Sequence, residues 1–62
     1  MIPSNVVQKL DHIQDLVDQK VYAEDPQQVL NAIEYIKPYY GMMDDVDQMY
    51  IEQAYNLATM HQ

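Results

Sequence analysis

Asp25-Pro26-Gln27-Gln28 decides how this chain is read, because these four consecutive residues announce a helix start. Asp25 suits the N-cap, Pro26 suits the first helical position where no amide donor is needed, and Gln28 stands where a capping box takes Glu or Gln. The stretch divides the sequence into an amphipathic N-terminal segment and a C-terminal helical pair.

Forward from Pro26, the spacing predicts a helix over residues 26–37 that buries Val29, Ala32, Ile33 and Ile36, with Leu30 at the edge of the stripe and Tyr35 pointing away. Pro38 disfavours helical geometry at Lys37 and ends the helix there, leaving Tyr39, Tyr40 and Gly41 as the turn. The next helix covers residues 43–60, with Asp44 as a candidate cap and Asp45 and Asp47 against the positive end of the dipole. Its main apolar stripe is Met42, Met43, Val46, Met49, Tyr50, Ala54, Leu57 and Met60. A second stripe, Ile51, Tyr55 and Ala58, lies roughly 100–150° around the helix. One partner surface does not easily cover both, so the second stripe is expected to need another partner.

Backward from Asp25, a helix over residues 5–20 opens where Asn5 and Gln8 resemble a capping box. Val6, Leu10, Ile13, Val17 and Val21 share one face, with Val7 and Leu16 at its margins and Asp11, Asp15 and Asp18 opposite. The link from Val21 to Glu24 has no glycine, so the first helix is free to fray into it or extend by a turn.

Three prolines and one glycine, all at helix boundaries, make the chain all-α: a single domain, residues 1–62, built as a small three-helix bundle or as a helical hairpin plus one packing helix. A domain of 62 residues buries only about 60% of its unfolded surface. With no cysteine and no metal-ligand cluster to staple it, oligomerisation is the expected means of completing the fold.

Ten acidic residues against three lysines give a net charge of -7, which argues against direct nucleic-acid binding and against an anionic membrane surface. No segment is apolar enough to span a bilayer, and the N-terminus lacks the basic and apolar regions of a signal peptide. Absent cysteine fits a reducing compartment, and the cytoplasm is the expected location.

Chemistry finds little to work with. One Ser, one Thr, no Cys and two distant His assemble no nucleophile with its base, and the lone Gly41 makes no phosphate loop, so no catalytic residue, cofactor or enzyme activity is expected. Nor does a chain this small promise a pocket of about 300 Å³ unless subunits combine. A calcium loop starting at Asp45 fails, since Tyr50 falls where the sharp turn needs Gly and Asn56 where a bidentate Glu is required. The row Asp11, Asp15, Asp18 beside His12 reads as a solvated face, and no metal is expected.

What remains is the aromatic and sulfur inventory: six Tyr and five Met, with neither Phe nor Trp. Tyrosine suits interfaces and core edges, and methionine supplies adaptable apolar surface. Tyr35, Tyr39, Tyr40, Met42, Met43, Tyr50, Ile51, Tyr55 and Ala58 form the candidate interface, Met42 and Met43 being the methionines expected outside. The expected function is protein–protein contact in a homo-oligomer, a dimer for preference. The alternative is an acidic decoy that inhibits a host protein by occupying a basic, nucleic-acid-binding surface, a basic protein then being its partner. In outline, a short, acidic, cysteine-free helical chain is similar to small accessory proteins of bacteria and their phages.

Overall fold

Apolar residues recur every three or four positions along most of the chain, and the backbone coils accordingly. A computed structural model describes residues 2–62, and the elements among them are all helical, with no strand. Helix α1 spans Ser4–Asp18, α2 is the single turn Val21–Glu24, α3 spans Pro26–Ile36 and α4 spans Asp45–Met60. A 3-10 segment, Lys37–Met42, joins α3 to α4. None of these helices is long and apolar enough to cross a membrane.

The helix starts differ from expectation in what caps them. In α1 the Pro3 carbonyl receives the amides of Val6 and Val7 at 3.0 and 3.2 Å, and no side chain caps it. The Asn5 side chain reaches across to α3 instead, donating to the Tyr35 hydroxyl at 2.8 Å. At α3, Asp25 holds the N-cap position through its carbonyl, which accepts from Gln28 N at 3.1 Å, and its carboxylate makes no cap bond. Only α4 uses a side-chain cap, with Asp44 Oδ1 accepting from Asp47 N at 3.3 Å.

Two junctions are also corrected. Helix α1 stops at Asp18, two residues short of expectation, because Lys20 turns left-handed at φ 57°, ψ 34°. That residue reverses the winding for one step, and α2 follows directly. At the other junction Lys37 is helical at φ -52°, ψ -41°, so Pro38 does not end the coiling. Proline lacks an amide proton, and in the first turn of a new 3-10 segment that loss is harmless. Tyr39 and Tyr40 therefore lie in a helical turn. Gly41 has no positive φ, and a Cβ there would meet nothing, so the turn does not depend on glycine.

Helix α3 is the central element, with its closest packing against α1 on one side and α4 on the other. The Asn5–Tyr35 bond joins the start of α1 to the end of α3, which sets the two antiparallel. Tyr22 of α2 stacks on His61 at 5.4 Å between ring centroids, bringing the end of α4 back beside the start of α3. The core is Val6, Ile13 and Leu16 of α1, Val29, Ala32, Ile33 and Ile36 of α3, Met43, and Ile51, Ala54 and Ala58 of α4. The α3 set is the one the spacing predicts. In α1, Leu16 is inside while Leu10 and Val17 are only half-buried, so the face is rotated toward Leu16.

Helix α4 is rotated from its expected orientation, so that Ala54 of the expected main stripe is buried and Tyr55 of the second is exposed. Ile51 and Ala58 are buried against the other helices, whereas Val46, Met49 and Met60 of the supposed main stripe are exposed. Size explains the choice. Ala54 and Ala58 are fully buried, and their short side chains let the α4 backbone come close to its neighbours where methionines would hold it off. Met43 is likewise inside, and of the adjacent pair only Met42 is outside.

The molecule measures 33 × 18 × 17 Å. Its accessible surface of 4245 Å² is close to the roughly 4,200 Å² expected of a folded monomer of 7.3 kDa. By area, the chain encloses its own core.

Candidate contact surface on helix α4

The inward and outward faces of α4 are set by the 100° step between residues. Ile51, Ala54 and Ala58 cluster on one side, and Val46, Met49, Gln53, Leu57 and Met60 cluster roughly 130° away. Val46 is 73% exposed, Met49 68% and Met60 77%. Leu57 and Tyr50 are half-buried along one margin of this stripe. A shallow depression of about 620 Å³ runs over it, lined by Val46, Met49, Tyr50, Gln53 and Leu57 with Glu52 and Asn56. The stripe is therefore an exposed, mainly apolar surface with the polar Gln53 at its middle.

The nine residues named from the sequence as an interface do not form a single patch. Met43, Ile51 and Ala58 are buried inside the chain. Tyr35 turns toward α1, where Asn5 bonds its hydroxyl and Lys9 Nζ sits 4.8 Å from its ring centroid. Tyr39 and Tyr40 are half-buried against the core from the 3-10 segment. Tyr55 and Tyr40 line a groove between α3 and α4, of about 1170 Å³, with Leu30, Ile33 and Ile51. A chain of this size thus forms a larger concavity than its length suggests, although it is open to solvent. Met42 is exposed. Tyr50, at the margin of the stripe, is the one aromatic of the set that touches it.

Sequence reasoning placed Val46, Met49 and Met60 in the main packing stripe and so missed them as surface. The two alanines of the helix are divided between the stripes, Ala54 in the first and Ala58 in the second, and both pack inward. Small residues belong where helices approach closely.

Charge surrounds this surface unevenly. Asp44, Asp45, Asp47 and Glu52 all lie in or before the first half of α4, and no acidic residue follows from Gln53 to Gln62. Burial pushes the Tyr50 phenol above its usual pKa, and the carboxylates of Asp18 and Asp15 push it further, which places the acids of α1 beside the stripe. Asp47 is raised by burial and then by the Asp44 carboxylate. Tyr40 is raised by desolvation and by Glu52, whose Oε1 accepts its hydroxyl at 3.0 Å. Gln48 Nε2 donates to the Tyr40 carbonyl at 2.9 Å, so the 3-10 segment is tied to α4 by two side chains.

Asp11, His12, Asp15 and Asp18 are exposed on α1. Among the described residues no group of three or more acids and histidines is arranged to hold a metal ion. In comparisons with known proteins the chain matches no family model, no curated protein and no solved structure.

Proposed function

We propose that this protein works by protein–protein contact and that the outer face of α4 is its docking surface. The supporting observation is the exposure of Val46, Met49 and Met60 in one row, flanked by Leu57 and Tyr50. Single exposed apolar residues are ordinary, but a contiguous row rimmed by polar side chains marks an interaction site. Thioether side chains suit such a role because they adapt to the shape opposite. No catalytic role is assigned to any residue. The absence of cysteine from the sequence fits a cytoplasmic setting.

The test is a photoactivatable cross-linker placed at Met49 of the full chain in producing cells, with one at Gln14, an exposed α1 residue, as control. Adducts from position 49 and none from position 14 are expected. A chain that cross-links from neither, or equally from both, has no docking surface on α4.

A second reading is the acidic decoy, favoured by the exposure of Asp11, Asp15 and Asp18 and by the bearing of Asp18 and Asp15 on Tyr50. Such a protein would hold a basic surface through charge, and its binding would weaken steeply as salt rises. Retention of a partner that ignores salt would reject it.

A further inference from the structure

Resting on the contact reading above, we infer that the occupant of the α4 surface is a second copy of this chain, its α4 antiparallel to the first across a two-fold axis at Gln53. The outward residues are Val46, Met49, Gln53, Leu57 and Met60, with steps of 3, 4, 4 and 3. That spacing reads the same in both directions from Gln53. A two-fold axis through an antiparallel pair maps each residue before position 53 onto the one equally far beyond it, and such an interface must be complementary to itself. Val46 then faces Met60 of the partner subunit, Met49 faces Leu57 of the partner subunit, and Gln53 faces its own copy. All five side chains fall within an arc of about 80°, the width of a single helix–helix seam.

Gln53 is the polar member of the row, and it stands at the centre. A side-chain amide both donates and accepts, so it can bond an identical amide across the axis. One polar residue in an apolar seam fixes register at some loss of stability.

Charge selects the same arrangement. Four acids lie in the first half of α4 or at its cap, and the half from Gln53 onward has none and ends beside His61. An antiparallel pair sets the acidic half of each copy on the acid-free half of the other, with the helix dipoles opposed. A parallel pair would bring the acids together.

The seam is short, about 21 Å from Val46 to Met60 at 1.5 Å per residue, and lies at the small end of specific interfaces. The dimer is accordingly reversible. Each copy carries a charge of -7, so added salt screens the mutual repulsion and tightens the pair. A basic partner would show the opposite response.

Sedimentation equilibrium of the full chain, over a wide concentration range at low and high salt, tests the proposal. The mass should rise with concentration from 7.3 kDa toward twice that value, more readily at high salt. Met49→Glu and Gln53→Glu should each weaken the dimer about tenfold or more by placing carboxylates in the seam. Both positions are exposed, and an unchanged circular dichroism spectrum would verify that the monomer still folds.

The absence of native cysteine allows a second, geometric test. Chains carrying V46C, mixed with chains carrying M60C, should form a mixed disulfide on oxidation. V46C alone should not, because the two copies of position 46 lie about 21 Å apart across the axis. A monomeric mass at every concentration and salt, a dimer indifferent to both Glu substitutions, or V46C self-linking as fast as the mixture would each overturn the proposal. If the chain is monomeric while Met49 cross-links to a different protein, self-pairing fails and the contact reading survives.

Discussion

Lys20 bears the clearest conformational cost in the chain. Its φ of 57° lies in the left-handed region, where an L-residue's Cβ crowds the following carbonyl. Its amide still donates to Val17 O at 3.0 Å, satisfying one of the last carbonyls of α1, and its own carbonyl accepts from Ala23 at 3.1 Å. The left-handed step is thus what ends one helix and begins the next. Lys20→Gly should stabilise the fold by about 0.5–1 kcal/mol, after allowing for the extra freedom glycine has when unfolded. Lys20→Val should destabilise it, since a β-branched side chain tolerates this region poorly. Denaturant midpoints of the three proteins would rank Gly above Lys above Val, and any other order would mean the turn is not held as described. Capping teaches a related lesson. Asp25 and Asp44 look alike in sequence, yet only the Asp44 carboxylate receives an amide.

Among the elements, α4 shows how a helix with two apolar stripes resolves the choice. Both stripes are legible in the sequence, and neither periodicity nor total hydrophobicity ranks them. The face that packs is the one bearing Ala54 and Ala58, because close approach to α3 gains more contact than bulky side chains at a distance. Ile51→Ala should therefore cost about 2–5 kcal/mol, a large share of the roughly 3–9 kcal/mol available to a domain of this length. Met49→Gln should change monomer stability by no more than about 0.5 kcal/mol. Urea unfolding in dilute solution separates the two. Equal effects at both positions would mean the orientation of α4 is wrong. Helix α3 needed no such decision, since Val29, Ala32, Ile33 and Ile36 form its one strong stripe.

For the whole molecule, enclosure and charge oppose each other. The radius of gyration of 10.8 Å is close to the value of about 10.6 Å expected for a compact domain of 62 residues, while ten carboxylates crowd its surface. Alkaline conditions sharpen the conflict. The Tyr40 and Tyr50 phenols are both raised in the folded protein, so as pH climbs past about 10 the unfolded chain sheds protons that the folded one must keep. Stability should be at its full value below that pH and fall above it. Tyr50→Phe and Tyr40→Phe should each flatten the fall, read as the thermal midpoint against pH, and an unchanged slope in both would remove the phenols as its cause. The sequence by itself determined that the chain is helical, where α3 begins, which side of α3 is buried and that Asp44 stands before α4, because these follow from periodicity and from residues acting on their immediate neighbours. Tertiary structure alone decided that Lys20 breaks the first segment in two, that Pro38 lies within continuous coiling, that Tyr35 is engaged by α1, and that α4 turns its methionines outward. Each of these depends on what comes to lie opposite a residue once the chain has folded, and neither spacing nor composition contains that information.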